Sequence, residues 1–366
     1  MENADVLFTN RLLIQVVPRL TPGKCGVADH AILLANQLKQ AHGIQTVFIV
    51  LNSTQKYDSE FKAIYCSTED IKDACLSVAH SAKIALLLHL SGYGYSQDGA
   101  PVRLARAIST VQGTGRFQIA TYFHELYYKN LTPWKKAFWN SRRQKKVLRS
   151  IAEQSNLLLT SIHLYEKWII RNTARMPARP IHVMPVFSTI GEVLAFNPVA
   201  NRNLEMIVFG LEESRKRSYQ MLRGCQAMLR RLGIKSILDI GPGTVLPADI
   251  PGIAVEQCGT LSEKYLIDKL QSTLYGFTPY DPICVAKSSI FAAYCACGVI
   301  PLLPVSLREG YDGLVDGVQF LTPRTAVWTT NEQLQRHANA AWQWHDAHNV
   351  RIHALRYAQW MTDQSK

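Results

Sequence analysis

The sequence predicts an α/β fold made of two doubly wound units, and three observations predict it. Short apolar runs alternate with amphipathic stretches along nearly the whole chain, as in parallel strands joined by helical crossovers. The alternation lapses once, over Ser188–Asn203, and then begins again. Near the start, "LLIQVV", "GKCGVADHAILLANQL" and "IQTVFIVL" follow one another as strand, glycine turn, helix and strand, the form of a βαβ unit.

In the first half, strands are expected at Leu12–Val17, Gln45–Leu51, Lys83–His89, Phe117–Phe123, Asn156–Thr160 and Ile181–Phe187, each a short run dominated by apolar and aromatic residues. The first helix follows from Val27, Ala31, Leu34, Ala35 and Leu38, which share one face at helical spacing, with Gly43 as its stop. A second opens at Ser67 in "STEDIKDACLSVAHSA" and a third at Pro101. A fourth opens at "TPWKK", where Thr132 caps and Pro133 takes the first helical position. In the second half, "LEMIVFG", "SILDIGPG", "GIAVEQCG", "STLYGF" and "VIPLLP" read as strands. Helices are expected around Tyr219–Leu232, in "SSIFAAYCACG", and from near Glu332 to the end. The expected division is therefore residues 1–190, residues 204–330 and a helical segment 331–366, with a cleft between the two α/β units where a ligand would gather.

A chain of 366 residues is long enough for two cores, and 47% hydrophobic with 19% charged residues is an ordinary globular composition. No apolar run approaches the roughly 20 residues that span a bilayer. The N-terminus "MENADVLFTNRLL" carries acids where a secretion signal needs basic residues, so a cytoplasmic location is expected. Eight cysteines without paired spacing fit free thiols in a reducing compartment. The net charge of +12 suits nucleic acid, an anionic membrane surface or a phosphorylated small ligand. The densest basic segment is "KKAFWNSRRQKKVLR", in which Lys135, Lys136, Arg142, Arg143, Lys145, Lys146 and Arg149 accompany Phe138 and Trp139. On a helix it reads either as a membrane-surface element or as a solvated basic face that packs Phe138, Trp139, Val147 and Ile151 inward.

Chemistry-bearing residues fall at strand exits. "ALLLHLSGYGY" ends a strand at His89 and enters a loop with Gly92 and Gly94, whereas "IATYFHELYY" ends one at Phe123 and presents His124 and Glu125. His89 reads more readily as a structural group, and His124, followed directly by an acid, as a site residue. The turn at Gly26 is either ligand-facing or only a tight connection. In the second half, Arg215, Lys216 and Arg217 follow a strand as a solvated run or as a clamp for a diphosphate. Lys287, Ser288 and Ser289 stand at a helix start, where cation, hydroxyls and free N–H groups suit a phosphate. Neither the GxxxxGK[ST] spacing nor a GxGxxG after a strand occurs, and there is no Asp-x-Asp, so neither an ordinary nicotinamide site nor a carboxylate-held metal is expected.

Taken in order, these pieces resemble the GT-B glycosyltransferases, and among them the family 4 type. "CGVADHAILLANQL" is similar to that family's first glycine loop and helix, and "YFHELY" resembles its histidine–acid pair. "FAAYCACGVIPLL" resembles the segment "EAMACGVPV", and "GYDGLVDGVQFL" a late "ELVxDGxNG" turn. The resemblance touches both halves and implies two Rossmann-like domains. It also has departures. The family's two glutamates, eight positions apart, would fall on Val285 and Ala293, and its arginine on Leu211, whereas its lysine matches Lys216.

The resemblance implies transfer of a sugar from a nucleoside-diphosphate donor to a glycan or lipid-linked acceptor, of the kind that serves bacterial polysaccharide assembly, with retention of configuration and without metal. Gly26 would approach the donor phosphates, while Asp29, His30 and Glu125 would lie on the acceptor side. Arg215, Lys216, Lys287, Ser288 and Ser289 would hold the diphosphate, and His124 would touch the sugar as the catalytic candidate. No cofactor is expected, the nucleotide sugar being a substrate. Peripheral attachment at the inner face of the plasma membrane is compatible with the basic segment, and nucleic acid is not an expected partner because no DNA- or RNA-binding module is readable. Two other readings stay open: a non-catalytic partner subunit of a transferase, motivated by the lost glutamates, and an epimerase acting on the nucleotide sugar alone.

Overall fold

The computed structural model describes residues 12–23, 25–51, 56–57, 60–79, 83–126, 136–173, 181–245, 250–327 and 330–363, with residues 136–139 described by backbone alone. The chain divides into two compact units, Met1–Met184 with Val350–Lys366, and Pro185–Asn349.

The first unit is a seven-stranded, all-parallel sheet, in spatial order β3-β2-β1-β4-β5-β6-β7. Its strands are β1 (Leu12–Val17), β2 (Gln45–Val50), β3 (Lys62–Tyr65), β4 (Ile84–Leu90), β5 (Phe117–Phe123), β6 (Leu157–Thr160) and β7 (Ile181–Val183). Between them run α1 (Gly26–His42), α2 (Ile71–Val78), the single turn α3 (Gly92–Tyr95), α4 (Val102–Gln112), α5 (Lys136–Gln154) and α6 (His163–Thr173). Strand alternation sends Ile14, Val16, Leu86, Leu88, Ile119 and Leu158 into one core with α2, α4 and α5. The opposite face carries Val17, Phe48 and Val50 against Ala31 and Ala35 of α1. In the second unit β8 (Asn203–Phe209), β9 (Ser236–Ile240), β10 (Ala254–Gly259), β11 (Thr273–Phe277) and β12 (Ile300–Leu302) pair in the order β10-β9-β8-β11-β12, again parallel. Its helices are α7 (Glu212–Leu222), α8 (Gln226–Arg231), α9 (Glu263–Ser272), α10 (Ser289–Ala296) and α11 (Asn331–Asp346). The last helix, α12 (Val350–Asp363), belongs to the first unit and packs against α1.

Several elements differ from the sequence reading. β3 was not expected, because "KAIY" is only four residues long and none of them is fully buried. α2 begins at Ile71 rather than at Ser67, whose hydroxyl instead donates to Asp70 at 2.6 Å. The expected helix over Tyr219–Leu232 begins earlier, at Glu212, and is interrupted by a tight turn at Arg223–Cys225. α9 was missed. The expected single C-terminal helix is two, parted at Ala347–Asn349 and assigned to different units, so the segment 331–366 is not one body. The expected cap at Thr132 and Pro133 lies outside the described residues. Of the basic segment, Val147 and Ile151 are buried as one reading required, while Phe138 and Trp139 lie outside the described side chains. Among the described residues no helix is long and apolar enough to cross a membrane.

Candidate functional site

In each unit the chain reverses direction across the sheet at one place, between β1 and β4 in the first and between β8 and β11 in the second. Loops leaving adjacent strands there run to opposite sides, and ligands of open α/β sheets gather at such carboxyl edges.

At the first unit's edge the loops after β1 and β4 pack against each other. Gly94 approaches Pro18, so that a Cβ on the glycine would lie 3.0 Å from the proline ring. Tyr95 Oη donates between the carbonyls of Val16, at 3.2 Å, and His89, at 3.0 Å, tying β1 to β4 where they part. The "GYGY" stretch is thus a folded turn and not an open loop. Behind it, register decides which side chains meet. Gln15 pairs with Leu87 and His89 with Tyr122, and residues two apart on a strand share a face. Gln15, His89, Tyr122 and His124 therefore lie on one face. That face is roofed by His30 of α1 and His353 of α12, whose rings stand 5.7 Å apart.

The result is a polar cluster within an apolar surround. His89 Nε2 lies 2.7 Å from Gln15 Oε1, and His89 Nδ1 lies 3.0 Å from His124 Nε2. The His30 ring is 5.7 Å from that of His89 and 5.3 Å from that of His124. Tyr122 lies 4.5 Å from His124, ring to ring, and donates its hydroxyl to the Met184 carbonyl at 2.7 Å. Burial drives the pKa of His30 and His89 well below the usual 6.5, helped by repulsion from neighbouring imidazoles, and burial lowers His124 to about 3. All three are neutral at physiological pH. Among the described residues no group of three His, Cys, Asp or Glu is arranged to hold a metal ion.

The expected first-half residues are therefore partly regrouped. His124 and His89 are together. His30 does not face outward from the helix start as expected: it is 1% exposed, because it lies on the face of α1 that carries Ala31 and Leu34 inward. Asp29 folds back to accept from the Gly23 N–H at 2.8 Å, and burial raises its pKa. Gly26 is the exposed first residue of α1. Glu125 is exposed and accepts from the Ser91 hydroxyl at 3.3 Å. Sequence reasoning missed Gln15, Tyr122 and His353. Gln15 left a signal, as the one polar residue in the "LLIQVV" strand.

At the second unit's edge, Arg215 is 1% exposed. Its guanidinium pairs with Asp239 and donates to the carbonyls of Gly210 (3.1 Å), Pro242 and Gly243 (3.1 Å), stitching the turn after β8 to the turn after β9. Those turns approach so closely that a Cβ at Gly241, whose φ is +152°, would lie 2.1 Å from the Gly210 carbonyl oxygen. The expectation that Arg215 clamps a diphosphate is corrected accordingly: every arm of it is engaged beneath the loops. Lys216, one position on and so turned outward by about 100°, stands at the surface with Glu212 at 2.6 Å and Glu213 at 3.6 Å. Ser288 caps α10 by accepting from the Phe291 N–H at 3.3 Å. Ser289 opens the helix, and Lys287 ends the short turn before it. Val285 and Ala293, at the positions of the resembled glutamates, are both 0% exposed. Beside Ala293, Tyr294 reaches the carbonyls of Ile207 and Phe277, each at 3.0 Å, and lies against Gly276, where a Cβ would fall 2.5 Å from its ring.

No protein-family model and no curated protein sequence matches the chain. Solved structures do. A UDP-forming α,α-trehalose-phosphate synthase from Burkholderia xenovorans superposes with a TM-score of 0.63 at 9% identity, over 97% of this chain and 99% of that one. An α-glucosyltransferase in complex with UDP-glucose and DNA containing an abasic site gives 0.60 at 10% identity, over 96% and 99%. The α-glucosyltransferase bound to UDP and a 13-mer DNA gives 0.60 at 11% identity over the same shares. The fold is thus that of the GT-B glycosyltransferases, as the resemblance implied. One expectation is overturned. Nucleic acid was set aside as a partner for want of a readable module, yet the α-glucosyltransferase whose fold this chain shares is in complex with DNA.

Proposed function

We propose that this chain is a glycosyltransferase that moves a hexosyl group from a nucleoside-diphosphate sugar to a hydroxyl of a glycan or lipid-linked acceptor, in the assembly of a polysaccharide. The observation that carries the reading is the match of fold over 96% or more of the chain to glycosyltransferases, one of them holding UDP-glucose. The acceptor oxygen forms a bond to the sugar's anomeric carbon, the bond from that carbon to the diphosphate breaks, and its electron pair leaves on phosphate oxygen. The acceptor proton is lost, and the products are a glycoside and a nucleoside diphosphate. In this reading the departing charge is met by Lys216, Lys287 and the N–H groups at the start of α10, without metal. Arg215 acts one step back, by fixing the loops. The new bond keeps the anomeric configuration of the old one. The exposed Arg142, Arg143, Lys146 and Arg149 of α5 give the first unit a basic face toward an anionic membrane surface, an attachment that rising salt would weaken in liposome sedimentation.

The test is release of nucleoside diphosphate by the purified chain from a panel of nucleotide sugars, beginning with UDP-glucose, paired with thermal-shift binding. Binding and release with one donor, each weakened about tenfold or more by Lys216→Ala or Lys287→Ala, is the expected result, the loss of one charge-assisted contact being worth about 1.5–3 kcal/mol. Binding of no donor would overturn the reading in favour of a partner subunit. Turnover of the donor to an epimer without transfer would favour the epimerase.

A further inference from the structure

We infer that His124 is held as the Nε2–H tautomer, with its Nδ1 lone pair kept as an acceptor for a ligand hydroxyl, and that Gln15 imposes this state through His89. The argument starts at the far end. Gln15 Nε2 donates to the Ala31 carbonyl of α1 at 3.3 Å, so a flipped amide would set oxygen against oxygen. The amide orientation is therefore fixed, and Gln15 Oε1 is the atom that meets His89 Nε2 at 2.7 Å. An amide oxygen only accepts, so His89 Nε2 carries the hydrogen. His89 is fully buried beside two other imidazoles, His30 and His124, where a second proton is strongly disfavoured, and its Nδ1 is left with a lone pair. That lone pair lies 3.0 Å from His124 Nε2, which must then be the protonated nitrogen. His124 in turn is neutral, and its Nδ1 has no hydrogen-bond partner among the described residues.

An imidazole in this state accepts a hydrogen bond and offers none to a ligand. The diphosphate of a nucleotide sugar, fully ionised at neutral pH, presents only acceptors and would be repelled by the lone pair, whereas each sugar hydroxyl has a hydrogen to give. His124 accordingly contacts a carbohydrate hydroxyl and not the diphosphate, and it is not the acid of the reaction. This last consequence rests on the glycosyltransferase reading; the tautomer does not. Gln15 and His89 are positioning residues that touch no substrate.

Long-range proton–nitrogen spectra of protein labelled with 15N-histidine decide it at pH 7.5, since protonated and bare imidazole nitrogens are well separated in shift. His124 is assigned by the signals lost in His124→Gln. The expected result is a bare Nδ1 and a protonated Nε2 on both His89 and His124, with loss of the single-tautomer pattern at His124 in Gln15→Met. Should Gln15→Met fail to fold, Gln15→Asn keeps the amide but withdraws it from His89 and serves the same purpose. A protonated Nδ1 on His124 in the native protein, or an unchanged pattern in a folded Gln15 variant, would overturn the inference. Adding UDP-glucose, glucose or dimethyl phosphate, a phosphate diester with no hydrogen to donate, separates the two levels. A shift confined to Nδ1 with the sugars supports the hydroxyl contact, and the same shift with dimethyl phosphate alone overturns it. The tautomer measured without ligand stands or falls independently of any transferase activity.

Discussion

Mild acid should destabilise the first unit, because three imidazoles are held neutral within it. The perturbation is a shift from pH 7.5 to pH 5. His30, His89 and His124 all have native pKa values depressed below the ordinary 6.5, His124 to about 3. Between the native and ordinary values the unfolded chain binds protons that the native state refuses, so stability rises with pH across that window. The stabilisation is complete above about pH 6.5 and is lost progressively as pH falls toward the native values. At pH 5 His124 forfeits about 2 kcal/mol, from a gap of about 1.5 pH units below the ordinary value at about 1.4 kcal/mol per unit, and His30 and His89 act in the same direction. That loss is already a sizeable part of a total stability of about 5–15 kcal/mol for a typical domain, and His30 and His89 add to it. Asp29, whose pKa is raised, acts in the opposite sense and recovers only a part. Urea denaturation followed by circular dichroism at pH 7.5, 6.5, 5.5 and 5.0 measures the slope. His30→Phe, which keeps a ring in the same site, should make that slope shallower below pH 6. A stability that stays level down to pH 5, or a slope that His30→Phe leaves unchanged, would refute the reasoning.

Other expectations concern the second unit. Gly241→Ala places a methyl 2.1 Å from the Gly210 carbonyl oxygen at a φ of +152°, and should cost about 3 kcal/mol or more in denaturant melts. Arg215→Met strands Asp239 in the interior and should cost about 3–5 kcal/mol, most of which Asp239→Leu in the same chain restores by removing the unpaired charge. Tyr294→Phe removes one hydroxyl shared by the Ile207 and Phe277 carbonyls and should cost about 1–2 kcal/mol, with little change in fold by circular dichroism. Thr330→Ala removes the capping box of α11, in which Thr330 and Gln333 each accept from the other's backbone, at a cost of about 1 kcal/mol in the thermal midpoint analysis.

Much of the fold was legible because parallel strands buried on both faces leave continuous apolar runs, as β1, β2, β4, β5 and β11 do. β3 did not, since an edge strand of four half-exposed residues needs little apolar sequence. The candidate site was legible only where a residue's local surroundings marked it, as at His124 beside an acid. His353 is supplied by a helix more than two hundred residues away, and nothing in "VRIHALRY" announces that it returns to the first sheet. Arg215 and Lys216 show the limit most plainly. In sequence they are one basic run, yet adjacent positions on a helix point about 100° apart. One is drawn under two glycine turns and the other is left in water. Val285 and Ala293 were recognised as lacking carboxylates, and only the structure adds that both are sealed in the core.

The return of α12 to the first unit has a consequence for the order of events during synthesis. The ribosome completes the strands of that unit by Val183, but the helix that packs on α1 and brings His353 to His30 begins only at Val350. Throughout translation of the intervening second unit, the first must wait with part of α1 uncovered, and it is finished last although it was begun first. A fragment stopped after Met184 would be an unfinished unit and not an independent one, and supplying Val350–Asp363 as a separate peptide should be what completes it.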